Sequence, residues 1–252
     1  MSNFALDARL NDLVGPFYAH PLIQALDPRT QQFLHDRALR VDFAAGATLL
    51  EEGETVPALV LLLRGSAKLS FQASDGRQAS AGVLRAPDAY GATEALLGRR
   101  APASLVALER GKGVEIRGAA LVEAARSSPA LHAGMMDLLV RQQETAMAKL
   151  KETLFLPVGV RTARLFLEYL DVFGLPVVEG TKIRVRLNQD AVAAELGVAR
   201  RSVTRALRAW QEEGLILKSG GYFIVRDRAR LARFAELDPA PRLYSLAQNA
   251  ST

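Results

Sequence analysis

Cysteine is absent from the 252-residue chain. Disulfides, thiolate-ligated zinc and iron–sulfur clusters are therefore excluded, and the composition agrees with a reducing compartment. Histidine occurs only at His20, His35 and His132, in no metal-ligand spacing. Each is expected to be structural or exposed; no metal is expected, and a haem ligand among them is unsupported. Long apolar runs are also missing. The longest, Val56–Leu63, falls far short of the roughly 20 residues that cross a bilayer. The opening MSNFALDARLNDLVG has acidic residues and no apolar core of signal-peptide type. A cytoplasmic chain without membrane attachment is the expectation. No P-loop is present; Gly111-Lys112-Gly113 lacks the rest of that motif and reads as a turn. With so few histidines and no cysteine, no catalytic triad suggests itself, and an enzyme is not expected.

The chain does have a strongly uneven charge. Its net charge is +5, but Gly180–Ala235 holds twelve basic and five acidic residues, a local +7, leaving −2 for the remainder. A basic C-terminal region on a slightly acidic body suggests a polyanionic partner; by itself it is equally compatible with a solvated basic surface.

Three stretches differ in pattern. Residues 5–40 read as short helices around Ala5–Leu13 and Pro28–Leu39. Residues 41–117 carry short apolar stretches (Ala58–Leu63, Ala67–Phe71, Ser104–Leu108) between turn signals at Gly46, Gly53, Gly65, Asp75-Gly76, Pro87-Asp88 and Gly111. Asp75-Gly76, between Lys68–Gln72 and Gln78–Leu84, predicts a hairpin. Many short strands at this spacing predict a small barrel or roll. From Ser128 to Leu156 one long helical pattern follows, with no glycine after Gly134. In it Met136, Leu139, Gln143, Ala146 and Leu150 recur at 3-4 spacing, a narrow seam flanked by polar residues. A helix packed on its own domain is the plain alternative; the flanking charges favour a dimer helix. Pro157-Val158-Gly159 breaks the pattern.

The domains expected are thus residues 1–127, a β-rich domain with N-terminal helices; 128–156, the dimer helix; 157–238, a DNA-binding domain; and 239–252, a disordered tail. Within the third, Arg161–Phe173 reads as an amphipathic helix and Ile183–Leu187 as a half-buried strand.

The segment Asn188–Ile216, NQDAVAAELGVARRSVTRALRAWQEEGLI, is the most specific. Asn188 can N-cap a helix ending at Leu196. Gly197 supplies a tight turn. A second helix runs from about Ala199 to Glu213 and stops at Gly214. At 100° per residue, Val203, Ala206, Leu207 and Trp210 share one face. Arg201, Arg205, Arg208 and Glu212 share the other, with Arg200 and Thr204 at the border. The apolar stripe must pack inward, so the arginines project from a convex helix of the shape that enters a major groove. Leu215–Lys218, Ser219-Gly220-Gly221 and Tyr222–Val225 then form a hairpin, the wing of a winged helix. Ser202, Lys218 and Arg226 are phosphate-contact candidates. Double-stranded DNA is the expected partner.

On these residues the chain resembles the CRP/FNR family of bacterial regulators over nearly its whole length. Ala47–Glu54 (ATLLEEGE), Leu62–Leu69 (LLRGSAKL) and Ala86–Leu97 (APDAYGATEALL) resemble its β-roll, and Val198–Arg205 (VARRSVTR) the start of its recognition helix. The resemblance implies an α+β chain: an N-terminal β-roll (a double-stranded β-helix, cNMP-binding-like), a long dimerisation helix and a C-terminal winged helix-turn-helix. It implies a homodimer on a DNA operator, in which RNA polymerase can be a further partner. The family's two base-contacting arginines carry over to Arg200 and Arg205; its usual acidic residue between them is here Arg201.

The resemblance also places a ligand pocket. Cyclic-nucleotide-binding members hold the ribose and cyclic phosphate with a glycine-glutamate pair and a later arginine. The matching stretch here is Gly91-Ala92-Thr93-Glu94, with Ala92 at the glutamate position. The expected arginine-serine falls near Ala101–Ser104, which has no arginine; Arg99 and Arg100 precede it and read as exposed loop residues, able at most to attract a phosphate from another angle. The helix hydroxyls meeting the purine would fall near Ala146 and Met147, with only Thr145 close. Each lost partner costs about 1–3 kcal/mol, so cyclic AMP bound in the usual way is not expected. No cofactor is predicted, and the sequence names no other ligand. A stand-alone cyclic-nucleotide-binding or protein-interaction module without operator binding is the competing reading; the helix-turn-helix counts against it.

Overall fold

The computed structural model describes residues 10–74 and 78–236. They form two compact units: one from residues up to Phe71 and Ala81–Ala146, the other from Gln72–Ser80 and the chain from Met147 onward. The expected Asp75-Gly76 turn and the tail 239–252 lie outside the described residues, as does most of the helix expected at Ala5–Leu13; its end, Asn11–Leu13, is a 3-10 turn.

In the first unit short helices precede the strands: α1 (Val14–Tyr18), α2 (Pro21–Gln24) and α3 (Pro28–His35). His20 and Asp27 cap α2 and α3 through side-chain acceptors. The helix expected to reach Leu39 ends earlier, because Leu39 starts β1 (Leu39–Phe43), paired antiparallel with β8 (Gly111–Arg117). Cross-strand pairing overrides the helical period there. Between them come β2 (Thr48–Leu50), β3 (Ala58–Arg64), β4 (Ser66–Gln72), β5 (Gln78–Arg85), β6 (Asp88–Tyr90), α4 (Ala92–Leu97) and β7 (Ser104–Ala107). The sheet orders are β1-β8-β3-β6 and β2-β7-β4-β5, so the chain passes repeatedly from one sheet to the other and winds into the expected β-roll.

β3 is buried on both faces. Val60 and Leu62 join the core between the sheets with Val41, Phe43, Tyr90 and Leu105. Leu59, Leu61 and Leu63 join a second core with Phe17, Ile23, Leu121 and Leu131. A strand between two cores reads as an unbroken apolar run. Gly111-Lys112-Gly113 is not a turn but the opening of β8. A Cβ at Gly113 would lie 2.5 Å from the Leu61 carbonyl oxygen, so glycine is required by the neighbouring backbone.

After β8 come α5 (Gly118–Ala125) and the long α6 (Pro129–Phe155), the helix expected at Ser128–Leu156. The Ser128 hydroxyl accepts from the Leu131 N–H, opening α6. Leu131, Met135 and Leu138 turn inward.

The second unit contains α7 (Val158–Phe173), β9 (Gly174–Val177), β10 (Gly180–Ile183), α8 (Gln189–Leu196), α9 (Arg200–Glu212), β11 (Ile216–Ser219), β12 (Tyr222–Val225) and α10 (Arg228–Ala235). Its sheet order is β11-β12-β10-β9. The strand expected at Ile183–Leu187 is displaced to Gly180–Ile183. Ile183 and Leu187 are buried and Arg184 and Arg186 exposed, as alternation implies. However, the Arg184 N–H makes the last in-register bond, to the Phe173 carbonyl, and Phe173 already belongs to α7, so the ladder stops there. The wing's first strand shifts by one residue while its second stands as expected, with Ser219 paired to Tyr222 around Gly220-Gly221. Phe166 of α7 centres the core, 5.9 Å from Trp210 and 5.1 Å from Phe223 between ring centroids.

Candidate nucleic-acid interface

Local sequence sets the helix-turn-helix. The Asn188 Oδ1 accepts from the Ala191 N–H at 2.7 Å, starting α8. Gly197 closes it at φ 63°, a left-handed conformation that disfavours other residues. Ala199 then caps α9 without a side-chain bond. Two contacts tie the first turn of α8 to the first two turns of α9. The Thr204 hydroxyl lies 3.0 Å from Gln189 Oε1, and Arg200 Nε pairs with Asp190 at 3.3 Å.

The two faces of α9 separate as expected. Val203, Leu207 and Trp210 are buried; Arg201, Arg205 and Arg208 are exposed. Trp210 meets Phe234 edge-on at 5.5 Å, and such ring pairs are worth about 0.5–1.5 kcal/mol each beyond buried area. The inward stripe therefore fixes which side chains point out. Arg208 pairs with Glu212 at 3.0 Å, whereas Arg201 and Arg205 have no ion pair among the described residues. Ser202 and Thr204 are half-buried. Lys218 is exposed on β11, its Nζ 5.9 Å from the Phe223 ring, and Arg226 is exposed just past β12.

Two features of this unit were not singled out from the sequence. Arg161, buried on α7, donates from Nη2 to the Leu196 carbonyl at 2.6 Å. Burial holds its pKa below the ordinary arginine value, opposed by the charge of Glu152. Tyr222 stands among cations: Lys182 Nζ lies 4.0 Å and the Arg186 guanidinium 5.6 Å from its ring centroid. Arg186 beside the hydroxyl draws the phenol's pKa below its ordinary value. The alternation of Lys182, Arg184 and Arg186 was the available signal, but in sequence it reads as the solvated side of a strand.

In the first unit, several residues of the expected ligand pocket already have hydrogen-bond partners. The Thr93 hydroxyl donates to Glu94 Oε2 at 3.0 Å. Arg100 donates to the Gly53 carbonyl at 2.9 Å, and the Glu52 N–H donates to the Ser104 hydroxyl. Ala92 is buried, and Gly91 lies against Val56 and Leu50. Arg99 is exposed, while Ala101 and Ala103, where the arginine-serine was expected, are buried. Thr145 is half-buried on α6, near Gly82 of β5. Among the described residues no group of His, Asp and Glu side chains converges as a metal site, and no helix is long and apolar enough to cross a membrane. His20 is buried, His35 stacks on Tyr18, and His132 is exposed.

On α6 every seam residue is exposed: Met136 at 53%, Leu139 at 41% and Leu150 at 50%, with Gln143 and Ala146 beside them.

Comparison with known proteins agrees with this geometry. Residues 160–234 match the model of the Crp-like helix-turn-helix domain, and residues 40–128 that of the cyclic nucleotide-binding domain. The chain is 26% identical over 216 residues to the CRP-like cAMP-activated global transcriptional regulator of Mycobacterium tuberculosis, covering 85% of this chain and 96% of that protein. Among solved structures, a CRP/FNR-family transcriptional regulator from Eubacterium rectale superposes with a TM-score of 0.73 at 18% identity, covering 86% of this chain and 98% of that one. The c-di-GMP responsive global regulator CLP of Xanthomonas campestris does so with a TM-score of 0.69 at 18% identity, covering 80% and 100%.

Proposed function

The chain belongs to the CRP/FNR family of DNA-binding transcription regulators, and from that membership we propose that it acts as a cytoplasmic homodimer whose α9 helices read two half-sites of one operator. The observation that carries this reading is the opposition of faces on α9, with Val203, Leu207 and Trp210 buried and Arg201 and Arg205 exposed. Arg200, Arg201 and Arg205 are assigned to base edges. Ser202, Thr204, Arg208, Lys218 and Arg226 are assigned to the backbone. The segments 1–127, 128–156 and 157–238 act as sensor, dimer helix and DNA reader. The exposed seam of α6 supports pairing with a second copy. RNA polymerase is a further partner under this reading.

The β-roll works without cyclic AMP held in the usual way. The Mycobacterium tuberculosis relative is described as cAMP-activated, but here Ala92 and Ala101 stand where a glutamate and an arginine would serve. A cyclic phosphate would find no cation at those two positions to offset its desolvation, and the neighbouring Arg100 is held by the Gly53 carbonyl. The deciding experiment is selection of binding sites from genomic and random DNA by the purified protein, with and without cyclic AMP. A two-fold-related site enriched equally in both conditions is the expected result. Failure to enrich any sequence would refute operator binding, and enrichment only with cyclic AMP would refute the ligand reading.

A further inference from the structure

The cluster at Tyr222 is not explained by base reading on α9. Tyr222 opens β12 directly after the Gly220-Gly221 turn. Lys182 stands opposite Ile224 in the ladder, so Lys182 and Tyr222 are diagonal neighbours on one face of the sheet. Lys218, opposite Phe223, stands on the other face.

A shared aromatic ring sets this cluster apart. Four arginines of the same unit have carboxylate partners, Arg200 with Asp190, Arg208 with Glu212, Arg228 with Asp171 and Arg230 with Glu213, whereas Arg201 and Arg205 on α9 stand without one among the described residues. Among the described residues Lys182 and Arg186 have no ion pair; they share one aromatic ring instead. The ring offsets part of their repulsion but leaves their net charge uncancelled. It also restrains two long side chains before any partner arrives, which reduces the ordering cost of binding.

Position indicates the partner. Arg186 lies two residues before Asn188, the cap of α8. The first turn of α8 is joined to the first two turns of α9 through Asp190–Arg200 and Gln189–Thr204. The cluster therefore borders the end of the helix-turn-helix from which α9 starts. We propose that Lys182, Arg186 and Tyr222 form a clamp for one DNA backbone phosphate beside the half-site, adding affinity and register but no base preference. The clamp rests on the reading of α9 as the DNA-contacting helix.

The test measures affinity of the full-length protein by fluorescence anisotropy, on the selected operator and on a scrambled duplex, across a KCl series. Arg186→Gln and Lys182→Gln should each lower the slope of log K against log[KCl] by about 0.9 per half-site, about 1.8 for the dimer, which is about sixtyfold weaker binding at about 0.1 M salt. Both duplexes should show it, with the selected base sequence unchanged. Tyr222→Leu removes the platform but no charge. It should weaken binding at wild-type slope, which an unstructured basic patch would not do. Arg228→Gln, whose arginine is held by Asp171, should leave the slope unchanged. Wild-type slopes in both glutamine variants overturn the clamp. Normal DNA binding with lost activation of RNA polymerase in vitro also overturns it, assigning the cluster to an acidic protein surface. If wild type bound both duplexes equally, the reading of α9 as a sequence reader would fall, while the slope on the scrambled duplex would still decide the clamp.

Discussion

Arg161 on α7 donates a 2.6 Å hydrogen bond to the carbonyl oxygen of Leu196, the last residue of α8. That carbonyl has no partner within its own helix, and it lies at the negative end of the helix dipole. A buried guanidinium supplies both a donor and a positive charge at the point where the chain turns through Gly197. Arg161 thereby anchors the helix-turn-helix to the helix that follows the long α6.

Arg161→Met keeps most of the apolar stem and removes the donor. It should destabilise the second unit by about 1.5–3 kcal/mol, the range for a hydrogen bond to a charged group. Urea unfolding followed through Trp210 fluorescence measures it. A midpoint unchanged from wild type would show that the Leu196 carbonyl is satisfied another way.

The exposed seam of α6 predicts assembly. Replacing Leu139 and Leu150 together with lysine puts two desolvated charges into any paired helix seam. Light scattering should report a monomer, and operator affinity should fall at least about a hundredfold as the two linked half-sites become separate events. A persistent dimer would move the interface elsewhere.

Arg201 predicts specificity. It is exposed, one turn before Arg205, with no internal ion pair among the described residues. An acidic residue there accepts from cytosine N4, whereas arginine only donates and suits guanine O6 and N7. Arg201→Glu should therefore change the preferred base pair at one position per half-site, by about 1–3 kcal/mol of discrimination. Arg201→Ala should lose preference there and retain salt-sensitive binding. Identical selected sequences for all three proteins would make Arg201 a phosphate contact.

Buried His20 and half-buried Asp88 together predict a pH response. Nε2 of His20 donates to the Asp88 carbonyl at 3.1 Å, and Nδ1 accepts from the Leu22 N–H. Burial, more than the charge of Arg141, lowers His20 to about 4, and burial raises Asp88 to about 6. Between about pH 6.5 and 4 the unfolded chain binds a proton at His20 and the folded chain does not, so acid destabilises through His20. Between about pH 6 and 3.8 the folded chain protonates Asp88 first, so acid stabilises through Asp88. The two largely cancel. Asp88→Asn should raise stability at pH 7.5 by up to about 3 kcal/mol. It should also expose a steep loss between pH 6.5 and 4.5, read from urea midpoints. Parallel wild-type and variant curves would contradict the balance.

The local sequence by itself determined the helix-turn-helix, because its signals act within a few residues. Asn188 caps its own helix, Gly197 adopts its own turn, and the opposed faces of α9 follow from helical period alone. It also indicated a β-roll and a long helix, through turn spacing and an apolar seam. Tertiary structure decided whatever depends on a partner distant in sequence. Leu39 left a helical pattern for a strand because Glu115 lies across from it. Gly113 became a strand residue because β1 and β3 pair on either side of it, opposite Val41 and Leu62. Arg161 looked like any basic helix residue until Leu196, 35 positions away, presented an oxygen. Lys182 and Arg186 looked like solvated charges until β12 brought Tyr222 between them. Periodicity records which face of an element is apolar; it carries no information about which distant atom that face will meet.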